Sequence, residues 1–210
     1  MGIIWQGILG GVSGRVGNVI GSSWKGIPVL KSRPLSVANP RTTQQVHYRD
    51  RLTKLVAIAS PINSSIIIPL WNRFASRMSG YNAFIQANSD AFNSSLAFVP
   101  ASFSISRGRM ASTAIINADI QTVNTECLVS YSPSITDSFQ TSDDVPFAVI
   151  TSNTGVLKGF KAGENARSDD SMLVTAVPGA SFAVGDLCFL AFRRPDGSVV
   201  SNTSFKALIA

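Results

Sequence analysis

Leu187-Cys188-Phe189-Leu190-Ala191-Phe192-Arg193, followed at once by Arg194-Pro195-Asp196-Gly197, carries the plainest fold signal in the chain. A short apolar and aromatic run closed by a Pro-Asp-Gly turn reads as a β-strand entering a reversal. Working outward, the same text fills residues 100–210. Candidate strands are Phe103 to Arg107, Ala114 to Thr122, Glu126 to Tyr131, Phe147 to Ser152, Val156 to Phe160, Met172 to Ala176, Leu187 to Arg193 and Thr203 to Ile209. Their number and spacing predict an antiparallel, immunoglobulin-like β-sandwich of seven or eight strands. No Trp follows Trp71, so the hallmark tryptophan of that fold is missing and the prediction rests on strand number and turn spacing. Cys127 and Cys188 both lie in strand text, 61 residues apart, which excludes a CxxC redox or zinc pattern. Two readings stay open for them: a disulfide joining facing sheets, or two small buried apolar residues.

Residues 39–94 change to helical text. Asn39 reads as an N-cap with Pro40 at the first helical position, and Leu52, Leu55, Val56 and Ala59 recur on one face until Pro61 ends the helix. A second helix is predicted over Ile66 to Met78, with Pro69 in its first turns, and a looser third around Tyr81, Phe84, Ile85 and Phe92. The aromatic stripe reads as core rather than as a ligand site. No apolar run reaches the roughly 20 residues of a membrane span, so none is expected. The whole is therefore α+β: a basic arm or hairpin over 1–38, a helical region over 39–94 and a β-sandwich over 95–210.

The arm is unusual in charge and in glycine. The first 54 residues hold eight of the 18 Lys and Arg but one of the 12 acids, leaving ten bases against eleven acids in the rest. Glycines stand at 2, 7, 10, 11, 14, 17, 21 and 26 among β-branched and aromatic residues, which predicts paired extended segments with a turn near Gly21-Ser22-Ser23. Such an arm adds strands to a neighbour's sheet or packs as an edge hairpin on its own domain. Its candidate partner-binding residues are Arg15, Trp24, Lys25, Lys31, Arg33, Arg41, Arg49 and Arg51, suited to acidic protein surfaces, to nucleic-acid phosphates or simply to solvating the arm. Met1 to Gln6 lacks the positive start of a signal peptide and carries Gln6 where a myristoylation signal has Ser or Thr, so neither export nor lipid anchoring is expected.

No motif in the sequence carries catalysis. The glycines form neither GxxxxGK[ST] nor a strand, GxGxxG and helix series. Ser22-Ser23-Trp24-Lys25 matches SxxK without the SDN or KTG partners that would make it a nucleophile site. His47 is the single histidine and reads as a solvated helix residue, while Asp143-Asp144 and Asp169-Asp170 read as solvated turns. The expectation is a non-enzyme with no catalytic residue, cofactor or metal.

The run Gly7 to Ile27, with Ser22-Ser23-Trp24-Lys25-Gly26-Ile27 at its end, then Lys31-Ser32-Arg33-Pro34 and Asn39-Pro40-Arg41-Thr42, resembles an uncharacterised protein family of Bacteroidota genomes and their phages. The likeness continues through Gln44-Gln45, Arg49 to Arg51, the Trp71 to Phe84 region and the Gly185-Asp186 to Asn202-Thr203-Ser204 strand pair. It implies a bacteriophage or prophage virion structural protein, made in the bacterial cytoplasm. Such a protein would contact other virion proteins, form a homo-oligomer and touch the genome through the basic arm. A host nucleic-acid-binding protein and a surface adhesin are the alternative readings, and the resemblance carries no catalytic residues with it.

Overall fold

The computed structural model describes residues 3–4, 12–36, 39, 41–121 and 124–209. The chain divides into two compact units, Met1–Thr42 and Thr43–Ala210.

In the first unit, strands β1 (Ile3–Ile4), β2 (Val12–Val16), β3 (Val19–Trp24) and β4 (Ile27–Ser32) form one antiparallel sheet in chain order. The turns fall at Gly17-Asn18 and Lys25-Gly26, and not at Gly21-Ser22-Ser23, which lies inside β3. Lys25 and Gly26 have φ of 47° and 80°, and two positive values in a two-residue loop give the type I′ turn whose twist matches a hairpin. Gly21 serves a different purpose, since a Cβ there would collide with the Val12 carbonyl. Close backbone approach, and not reversal, is what that glycine permits.

The second unit begins with α1 (Thr43–Ile62), which runs through a π-helical turn, Asn63–Ile67, into α2 (Ile68–Trp71). Asn39 thus stands too far upstream to cap α1, and Pro40 lies outside the described residues. The predicted break at Pro61 and separate helix to Met78 are also corrected. Pro61 lies in the last turn of α1, and the bond its missing N–H cannot make is absorbed where the helix widens to the i→i+5 pattern. The continuous helix Thr43–Trp71 is, by length and composition alone, apolar enough to cross a membrane, and its Leu55, Ile58, Ile62, Ile66 and Leu70 are packed into core. α3 (Gly80–Ala87) is capped by Ser79, whose side chain accepts from the Asn82 N–H at 3.2 Å. Phe92 is not helical and pairs instead with Phe98 in a single bridge.

Seven strands follow: β5 (Ile115–Ile120), β6 (Glu126–Tyr131), β7 (Val145–Thr151), β8 (Leu157–Ala162), β9 (Ser171–Thr175), β10 (Leu187–Arg193) and β11 (Ser204–Ala207). They build two antiparallel sheets, β11-β10-β7-β8 and β5-β6-β9. The molecule is therefore mixed α+β, with three antiparallel sheets and one long helix. β7 and β10 are central and buried on both faces. From one face Phe147, Val149, Phe189 and Ala191 enter a core with the helices. From the other, Ala148, Ile150, Cys188, Leu190 and Phe192 meet Cys127, Val129, Met172 and Val174 of the second sheet. This double burial explains the unbroken apolar run at 187–192, and each fully buried aromatic there contributes about 1.5–3 kcal/mol.

One predicted strand is absent. Phe103 to Arg107 is irregular because side chains take the place of a strand partner. Asn88 Nδ2 donates to the Ser104 carbonyl (2.9 Å) while its Oδ1 accepts the Ser104 N–H (2.7 Å). Trp71 Nε1 donates to the Ile105 carbonyl at 2.8 Å, and Thr203 Oγ1 accepts the Ser106 N–H at 3.0 Å. Every buried backbone group needs a partner, but the partner need not be a ladder.

Candidate functional site

Alternation along the strands sorts the side chains of the first sheet. Cross-strand pairs Arg15↔Ile20, Ile20↔Lys31, Ser22↔Val29 and Trp24↔Ile27 share one face. Val16↔Val19, Gly21↔Leu30 and Ser23↔Pro28 share the other. Both faces carry exposed apolar side chains: Trp24 is 53% and Ile27 47% exposed on the first, Val16 50% and Leu30 63% on the second. Gly21 is the one buried residue between Val12 and Ser36. The register thus unites Arg15, Lys31 and Trp24 on one face, with Lys25 in the turn at its end and Arg33 just past β4, where its N–H donates to the Asn18 carbonyl at 2.7 Å. Arg41 is exposed in the link that follows.

Arg49 and Arg51 belong to the second unit, on α1. Arg49 is exposed, whereas Arg51 is committed within the fold. Its Nη2 donates to the Ser89 carbonyl (2.6 Å) and to Asp90 Oδ1 (3.1 Å), and its guanidinium lies 5.8 Å from the Tyr48 ring centre. It ties α1 to the end of α3, a role that charge counting does not reveal.

A family model described as a family of unknown function, DUF6266, matches residues 11–207. The chain belongs to this family. The DUF6266 match takes in β2 to β4 as well as the helices and all seven strands of the second unit, so the exposed sheet is part of what defines the family. No curated protein and no solved structure matches the chain.

Elsewhere in this DUF6266 chain, polar chemistry is spent on structure. Asp144 was expected in a solvated turn, yet it and Arg167 are both 0% exposed and form an ion pair at 3.2 Å. Arg167 Nη1 also donates to Thr113 Oγ1 at 2.6 Å, and the guanidinium stacks 4.2 Å from the Phe192 ring centre. Burial lowers the Arg167 pKa while Asp144 opposes the shift. The sequence offers no signal for this pair, whose members stand 23 residues apart in loop text. Cys127 and Cys188 are free and buried. Burial first, then Asp119, pushes the Cys127 thiol up to about 12, and burial raises Cys188 further. Neither is a nucleophile at neutral pH. His47 is half-buried on α1, with Nε2 shielded and unpartnered. Among the described residues, no three His, Cys, Asp or Glu side chains gather as metal ligands.

Proposed function

We propose that this protein is a non-enzymatic virion structural component of a bacteriophage or prophage, and that its N-terminal sheet is an assembly element that docks on neighbouring subunits. The observation that carries the reading is that strands β2 to β4 of this sheet are apolar and exposed on both faces, with a single buried residue between Val12 and Ser36. A sheet without a buried face gains too little to offset the entropy of ordering its strands, so a partner that covers it supplies the missing stabilisation. Arg15, Lys31 and Lys25 direct that contact toward acidic protein or the packaged genome.

The second unit, on this reading, is an immunoglobulin-like sandwich that the sheet anchors. Labelling β5 to β11 as A, B, C, C′, E, F and G turns the two sheets into ABE and GFCC′, an order close to immunoglobulin-type domains. Cys127 and Cys188 then occupy B and F, the strands that an inter-sheet disulfide joins in antibody domains. The resemblance noted in the N-terminal motifs supports the virion setting.

Deleting residues 1–42 tests the proposal. The truncated protein is expected to stay folded but to lose self-association and incorporation into particles. Normal incorporation of the truncated chain removes the sheet from assembly. A steep loss of DNA affinity with salt, in the full chain alone, would instead favour the nucleic-acid-binding alternative.

A further inference from the structure

We propose that the second unit contains a nucleotide-binding cleft between the Arg107 to Arg109 segment and residues Ser198 to Val200, with Arg107 and Arg109 for the phosphate and Phe74 and Phe139 for the base. The cleft has a volume of about 360 Å³ and is lined by Phe74, Arg107, Arg109, Phe139, Ser198 and Val200 among others, a size within the range of small-ligand sites. Arg107 is fixed by donating through Nε to Ser104 Oγ (3.2 Å) and through Nη2 to the Ala87 carbonyl (3.0 Å). Arg109 is exposed and has no hydrogen-bond or ion-pair partner among the described residues. Lining residue Phe139 is held from behind, where its carbonyl accepts from Arg194 Nη2 at 2.8 Å.

One further donor on the lining remains unfilled: Ser198 Oγ is shielded from solvent and makes no hydrogen bond among the described residues. Buried polar atoms are nearly always satisfied, so an orphan hydroxyl in a cleft that Arg107 and Arg109 also line points to an anionic ligand. The Asp196 carboxylate acts on Arg194 and Arg73, whereas Arg107 and Arg109 make no ion pair among the described residues. Asp196 accepts from the Ser198 N–H, and Asp137 accepts from the Ala111 and Phe139 N–H groups. A carboxylate side chain would account for the arginines alone. Phe74 and Phe139, 45% and 38% exposed on the rim, add flat apolar surface of the kind on which a base stacks, and planar guanidinium forks suit a phosphate.

Isothermal titration of the full chain at low salt with adenosine monophosphate, inorganic phosphate and a tetraglutamate peptide tests the cleft. Adenosine monophosphate is expected to bind, with inorganic phosphate and the peptide at least about tenfold weaker because neither stacks. Arg109→Ala is expected to weaken nucleotide binding about tenfold or more by removing a charged donor, with no change in thermal midpoint. Phe139→Ala is expected to weaken it about fivefold or more. An oligothymidylate that outbinds the mononucleotide in an Arg109-dependent way identifies single-stranded nucleic acid as the source, and equal or weaker binding identifies free nucleotide. Absence of nucleotide binding, equal binding of phosphate or peptide, or full affinity in both variants overturns the assignment.

Discussion

Arg167 and Asp144 show how one residue pair can hold several loops. With both side chains out of solvent, removing either partner strands the other charge in a place where water cannot replace it. Arg167→Met is expected to cost about 3–5 kcal/mol in urea unfolding, and Arg167→Met with Asp144→Leu less than that single change, because no lone charge remains. A single variant within about 1 kcal/mol of wild type would contradict a load carried by the ion pair. The buried thiols and Tyr131 make a pH prediction. Burial first, with nearby Asp charges, raises Cys127 from 9.0 and Tyr131 from 10.0, each to about 12. These acids give up protons more readily unfolded, so their stability contribution is complete below about pH 9 and is lost as pH rises toward 12. The thermal midpoint should therefore fall across that window, less steeply in Cys127→Ala with Cys188→Ala. Identical slopes would remove the thiols as the cause.

At the scale of elements, Asn88 decides what residues 103–106 become. Fully buried, it gives and accepts the bonds that a neighbouring strand would otherwise provide to Ser104. Asn88→Ala leaves those groups unpaired at a cost of about 2–3 kcal/mol, and amide exchange at Ser104 should accelerate with it. Unchanged protection there would mean that Trp71 and Thr203 hold the segment without Asn88. The alternation of Phe103 to Arg107 is genuine strand text, and a side chain 15 residues upstream of Phe103 cancels it. The long helix teaches the converse. Pro61 stops a helix on paper, but with its last turn widened the helix continues to Trp71.

At the scale of the molecule, the two units differ in how they are stabilised. The second has two cores on either side of the β7–β10 pair, so deleting residues 1–42 should leave its thermal midpoint unchanged within about 2 °C. A large drop would show that the sheet serves the stability of its own chain. The α+β class, the strands from β5 to β11 and the presence of paired extended segments in the basic, glycine-punctuated arm are legible in the sequence alone, because local pattern writes these directly, whereas the turns of the arm are not. Strands Glu126 to Tyr131 and Leu187 to Arg193 fall where their text placed them. Of the candidate site, the cross-strand union of Arg15, Lys31 and Trp24 had to await a register, since moving the turn from Gly21 to Lys25-Gly26 reassigns every pair. That Arg51 is a tether, that Asp144 is buried and that Arg107 and Arg109 share a cleft with Phe74 and Phe139 emerges only from the folded chain. Such facts depend on which segments meet in space, and contacts between segments far apart in the chain leave no periodic trace along it.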